Sequence, residues 1–300
     1  VIVVMAPSGA LVNRMLIENA VSAVQGQVVE AHRVAVPVSL ADHREVIKFL
    51  IDCPDPERLS AQLRQLSDEH GADIALQSRL SRCRPYGLAV FDMDSTLISC
   101  EVIDELARVA GVGAEVAEIT DRAMRGELDF DESFRTRLAL LKGLDAGAVD
   151  ELADQLPVQS GLSEMATTLK ARGLKLAIFS GGFIPIAERL KNDYGFDHVV
   201  ANELEIRDGK VTGKIVPPIV NREYKAEALG ALASRLGIHT EHCIAVGDGA
   251  NDLSMMALAG LGVAFHAKPA VRAASPIEIT HIGLDGVCYL MGHEGEFAVA

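Results

Sequence analysis

Cationic residues are in short supply in this 300-residue chain: 28 Lys and Arg face 42 Asp and Glu, a formal charge of −14. Such an imbalance disfavours a nucleic-acid backbone or an anionic membrane as the main partner, because long-range repulsion opposes every encounter. A phosphorylated substrate would need local positive charge or a bound cation. Cysteine is scarce too. Cys53, Cys83, Cys100, Cys243 and Cys288 contain no C-x-x-C, and an odd number cannot all pair within one chain. They read as reduced thiols of a cytoplasmic protein. No apolar run approaches the ~18 residues of a membrane span. The opening VIVVMAPSGALVNRM lacks the basic segment of a signal peptide, and no repeat or low-complexity tract occurs.

What is present suffices for two domains, since 49% of the residues are hydrophobic. Up to about residue 80 the chain reads as an apolar run (VIVVM), a helix, two extended stretches, a second helix (PERLSAQLRQLSDEH) and a closing strand (ADIALQ), a β-α-β-β-α-β order. SRCRPYG, residues 81–87, has the Pro, Gly and charges of a linker. After GLAVF, residues 99–156 show helical periodicity without a convincing strand, and read as an insertion. Strands and helices then alternate to the end, as in a parallel sheet covered on both faces, whose ligands sit at the carboxyl ends of the strands.

Three of those strand ends carry polar signals: DMDST after GLAVF, SGGF after LKLAIF, and GDGAND after CIAV. Asp92 and Asp94 project to one side of an extended chain, and two buried carboxylates need a cation, a proton or solvent beside them. Singly, each motif has a modest explanation: D-x-D as a turn, the glycines as a flexible strand-to-helix junction, Asn251 or Asp252 as a helix cap, Lys225 as a surface charge and Glu101 as a helix-end charge. In the insertion, with Phe134 at zero degrees on a helix, Leu138 and Leu141 fall beside it. Arg137 sits at about −60°, flanked by apolar positions, and Arg135 at about +100°, toward solvent. His198, His242 and His266 show no metal-ligand spacing.

In this order, D-x-D-S/T, S-G-G, Lys and G-D-G-x-N-D, the motifs resemble the haloacid dehalogenase superfamily over roughly residues 87–293. DSTLISCEVIDELA, AMRGELDFDESFRTRLALL and FSGGF are most similar to its phosphoserine phosphatase branch. The resemblance implies an α/β fold: a Rossmann-like core (87–98 and 157–300, within a phosphatase domain 81–300) with a helical cap (99–156), preceded by an α+β, ferredoxin-like, ACT-like domain (1–80). It implies hydrolysis of O-phospho-L-serine to serine and phosphate, the last step of serine biosynthesis, through an aspartyl-phosphate on Asp92, with Asp94 as acid and base. Mg²⁺ would be held by Asp92, the Asp94 backbone carbonyl and Asp248. Ser180, Gly181, Lys225 and Asn251 would receive the phosphate, Arg137 the substrate carboxylate and Glu101 its ammonium, with Met124 and Phe130 shielding the site. The first 80 residues would supply an amino-acid effector site or a homodimer contact. The rival readings are a phosphatase for another small phosphomonoester such as phosphohomoserine, and an amino-acid sensor with a decayed phosphatase site.

Overall fold

A computed structural model describes residues 1–10, 12–40, 43–125 and 127–292, and of Met124 only the backbone. The chain begins with β1 (Ile2–Pro7), α1 (Arg14–Ala23), β2 (Gln27–Arg33), β3 (Arg44–Asp52), α2 (Pro56–His70) and β4 (Asp73–Leu76). These strands form an antiparallel sheet of order β2-β3-β1-β4 with α1 and α2 packed on it, the ferredoxin-like arrangement expected from the β-α-β-β-α-β reading. Local chemistry delimits α2: the Asp55 carboxylate accepts from Arg58 N–H at 3.0 Å, Pro56 opens the first turn, and Gly71 closes the helix at φ +66°, where a side chain would strain.

Next come α3 (Arg79–Arg82) and β5 (Leu88–Phe91), then the insertion with α4 (Val102–Ala110), α5 (Gly113–Met124), α6 (Phe130–Leu140) and α7 (Gly147–Ala153). The insertion leaves and re-enters through a pinched stem: Ser99 N–H donates to Pro157 O and Gln159 N–H to Leu97 O, each at 2.9 Å. The alternating remainder is α8 (Leu162–Ala171), β6 (Lys175–Phe183), α9 (Ile184–Tyr194), β7 (His198–Arg207), β8 (Lys210–Val216), α10 (Arg222–Arg235), β9 (Cys243–Gly247), α11 (Leu253–Leu258), β10 (Leu261–Phe265), α12 (Pro269–Ala274), β11 (Glu278–Ile279) and α13 (Gly286–Leu290).

The second sheet has the order β11-β10-β9-β5-β6-β7-β8, parallel except for the antiparallel β7–β8 ribbon. That ribbon turns at Asp208 and Gly209, both at positive φ, as a tight hairpin requires. LAVF of β5 is wholly buried, and one apolar cluster covers each face of the sheet. The order puts β5 between β9 and β6, so the three strand ends carrying polar motifs are neighbours.

The stretch expected as a linker is instead a packed joint. Arg82 is 1% exposed and its guanidinium donates to the Gln77 side chain and to the carbonyls of Tyr289, Leu290 and Met291. Asp73, fully buried, accepts from the backbone N–H groups of Thr280, His281 and Ile282. Arg44 donates to Asp285 at 3.2 Å, both side chains almost wholly buried. Val3, Met5 and Val46 belong to the same apolar cluster as Leu284 and Leu290. Among the described residues no helix is long and apolar enough to cross a membrane.

Candidate active site

A cavity of about 430 Å³ opens where β5, β6 and β9 end beneath the insertion helices. Asp92 follows β5 directly, its N–H donating to Val246 O of β9 at 2.9 Å, so backbone pairing fixes its place. Its Oδ1 accepts from Met93 N–H at 2.8 Å and from Lys225 Nζ at 2.7 Å. Lys225, in the first turn of α10 and fully buried, also donates to Asp252 Oδ1 at 2.7 Å. Burial opposes charge on this lysine, but the attraction of Asp252 and Asp92 outweighs it and holds the ammonium above the usual range.

Asp252 does more than the helix capping its position suggests. It precedes α11 but makes no side-chain cap bond; its second oxygen accepts from Gly249 N–H at 3.0 Å. It thus pins the GDGAND loop to Lys225. Gly247 leaves no room for a side chain, since a Cβ there would come within 2.5 Å of Asp252 Cβ.

Asp92, Asp248 and Asp252 can each aim one oxygen into a space where all three atoms lie within 4.8 Å of one another. Asp248 accepts from the Thr96 hydroxyl at 3.3 Å. Burial first, and the neighbouring acid Asp252 next, push Asp92 well above the carboxylate range and Asp248 up to about 7. An all-oxygen donor set with surplus negative charge fits a hard divalent cation. The Asp94 carboxylate stands outside this group. Its Oδ1 is buried without a hydrogen-bond partner among the described residues. Burial, then Glu101, raise Asp94 well above the usual carboxylate range, which favours its protonated form.

Opposite stands the end of β6. Ser180, fully buried, accepts from Gly182 N–H at 2.8 Å, while Gly181 and Gly182 line the cavity. At Gly182 a Cβ would come 2.9 Å from Asp94 Oδ2 and 2.6 Å from Met93 Cε, so any side chain there would displace Met93 and Asp94. Asn202 holds this loop, donating to Gly181 O at 2.7 Å and accepting from Val220 N–H at 2.8 Å.

The insertion closes the cavity with Phe130, Phe134 and Arg137 of α6. Phe134, Leu138 and Leu141 are buried, and Arg137 lies on the flank of that face, lining the cavity with Nε 3.4 Å from Ser133 O. Arg135 points outward to Asp131 with its side chain 64% exposed. Phe130 is half-exposed and stacks on Phe134 at 6.3 Å. Glu101 lines the cavity as well; although it occupies the N-cap position of α4 it makes no cap bond, and instead accepts from the Ser95 hydroxyl at 2.9 Å. Asn251 is at the rim, and the Met124 side chain lies outside the described residues. Sequence reasoning did not single out Asp252 as a site residue, and it passed over Asp104 and Lys268, which share the cavity. For Asp252 a signal existed: a second acid four residues beyond Asp248 in GDGAND.

Known proteins with this pattern were found by both sequence and structure. A phosphoserine phosphatase of Mycobacterium tuberculosis is 45% identical over 234 residues, 78% of this chain and 57% of that protein. One from Archaeoglobus fulgidus is 40% identical over 253 residues, 84% of this chain and 74% of that protein. The chain thus spans a little over half of the first relative and three quarters of the second. A HAD-family hydrolase from Salmonella enterica serovar Typhi superimposes with a TM-score of 0.85 at 32% identity, covering 98% of this chain and 99% of that one. The model of haloacid dehalogenase-like hydrolases matches residues 89–257, more than half of the chain and all three strand ends around Asp92. By that match the chain belongs to the haloacid dehalogenase-like hydrolase family.

Proposed function

We propose that this chain is a Mg²⁺-dependent phosphoserine phosphatase of the cytoplasm, hydrolysing O-phospho-L-serine to L-serine and phosphate. The observation that carries the reading is the meeting, in one cavity, of the lysine-held Asp92 with a second buried carboxyl, Asp94, and of Arg137 with Glu101, suited to an amino acid's two charges. The division of the chain at about residue 80, and of the cap at 99–156, belongs to the same proposal.

Asp92 attacks phosphorus; the P–O bond to the serine side chain breaks as the aspartyl-phosphate forms. The departing alkoxide takes the proton that Asp94 holds, and Asp94, now ionised, accepts a proton from the water that hydrolyses the intermediate. Lys225 keeps Asp92 aligned and offsets charge building on the phosphoryl group, as do the N–H groups at the end of β6. Asp92, Asp248 and Asp252, with the backbone carbonyl of Asp94, would hold the Mg²⁺, which when bound neutralises phosphate charge. Arg137 takes the carboxylate in a charge-assisted pair and Glu101 the ammonium.

The test is a turnover comparison in Mg²⁺ of phosphoserine, phosphohomoserine and phosphoethanolamine, with trapping of the acyl-phosphate. Phosphoserine should be preferred, and removal of the carboxylate in phosphoethanolamine should cost most of kcat/KM. Equal turnover of phosphoethanolamine would refute the substrate assignment.

A further inference from the structure

The cavity that holds Asp92 is walled on the insertion side by one flank of α6. With Phe134 at zero degrees on that helix, Phe130 falls at about −40°, Arg137 at about −60° and Ser133 at about −100°. All four residues line the cavity. No step of the proposed reaction uses Ser133.

A serine or threonine inside a helix commonly gives its hydroxyl proton to the carbonyl one turn back. Thr136 of the same helix does so, donating to Glu132 O at 2.7 Å, and Thr120, another cavity residue, donates to Val116 O at 3.1 Å. Ser133 does not. It is 2% exposed, and its hydroxyl is buried without a hydrogen-bond partner among the described residues. Such a group destabilises the free protein, and replacing it by hydrogen is expected to be neutral or stabilising. A hydroxyl held in that state on the wall of a ligand cavity calls for a partner on the ligand. The charges of the wall decide which part of an amino acid it meets. The ammonium has acids to spare, Glu101 and Asp104 among them. The carboxylate has fewer donors: Arg137, whose Nε already faces Ser133 O at 3.4 Å, and the exposed Lys268. Two carboxylate oxygens offer about four acceptor positions, more than one guanidinium edge fills. Ser133, one turn from Arg137 on the same flank, is placed to supply a further donor.

We propose that Ser133 is a specificity-determining residue, whose hydroxyl donates to the carboxylate of the substrate's amino-acid part alongside Arg137. A turn about the single side-chain torsion of serine brings the oxygen to the ligand. The inference rests on the phosphoserine reading above, and Ser133 takes no part in breaking the P–O bond.

The test uses the full chain in Mg²⁺ and reads the preference for phosphoserine over phosphoethanolamine, which lacks the carboxylate, as a ratio of kcat/KM. Ser133→Ala should lower that ratio about tenfold or more, chiefly through KM for phosphoserine, because a hydrogen bond to a charged group is lost. Thr136→Ala, which removes an exposed hydroxyl from the same helix, should leave the ratio within about twofold of the unmodified chain. Without ligand, Ser133→Ala should melt no lower than the unmodified chain, since no bond within the protein is broken. An unchanged ratio in Ser133→Ala, an equal loss on both substrates, or a lowered melting temperature would overturn the proposal. Those outcomes leave the phosphoserine reading standing. Absence of phosphoserine turnover in the unmodified chain would instead refute that reading, and this inference with it.

Discussion

As the proposed nucleophile, Asp92 sits between two demands, since a nucleophile must be ionised and burial, with Asp252, Asp248 and Asp94 nearby, opposes ionisation. Lys225 is the protein's answer, and it is shared with Asp252. Asp92→Asn should therefore reduce turnover by at least about 10³-fold and abolish acyl-phosphate trapping, because an amide is no nucleophile. Substantial residual trapping would sink the assignment. The acids also make a pH prediction. Asp92, Asp94 and Asp248 have folded-state pKa values above their unfolded ones, so the cation-free folded state binds more protons than the unfolded chain. Its stability then falls as pH rises from about 4 through the value of about 7 at Asp248. A divalent cation competes with those protons, so Mg²⁺ should raise the melting temperature more at pH 8 than at pH 5. An equal rise at both would show that the cation binds elsewhere. The meeting of Asp92, Asp94 and Asp248 was legible because their motifs stand at strand ends, whereas Lys225, in the first turn of α10, was drawn in only by the order of the motifs. Asp252 was less legible, because an Asp before a helix satisfies local capping rules and only the packing of α10 against α11 brings Lys225 to it.

At the scale of elements, α6 tests the reading of one helical face. Arg137→Ala should lower kcat/KM for phosphoserine by about 10²-fold or more, whereas Arg135→Ala, which breaks only an exposed pair with Asp131, should stay within about threefold. Similar losses would mean that Arg137 has no special role. Periodicity was enough to separate the two arginines, since buried Phe134, Leu138 and Leu141 define the stripe. Composition was not enough at residues 81–87. Pro, Gly and charge look alike in a linker and in a joint, and the groups that bury Arg82 lie more than 200 positions away in sequence. Arg44→Met probes that joint. It leaves Asp285 buried without its partner and should cost about 3 kcal/mol in denaturant unfolding. A loss under about 1 kcal/mol would show that solvent reaches Asp285 readily.

Across the whole molecule, the alternation of strands and helices made both sheets legible, while their mutual packing was not. Removing the first 80 residues should leave Leu284, Leu290 and Ile282 without the apolar cover of Val3, Met5 and Val46. A fragment starting at Gly87 is therefore expected to melt well below the full chain and to bind a hydrophobic dye; an unchanged melting temperature would show the units to be energetically independent. The pinched stem at Ser99 and Gln159 has a different consequence. On the proposed reading the groups that break the bond, Asp92 and Asp94, hang from a core strand end, whereas Arg137 and Phe130 arrive on helices tethered by two short hydrogen-bonded crossings. Reactivity and selectivity are thus inherited on separate stretches of chain, and a lineage can exchange the helices between those crossings, acquiring a new phosphate ester to cleave, without relearning how to cleave it.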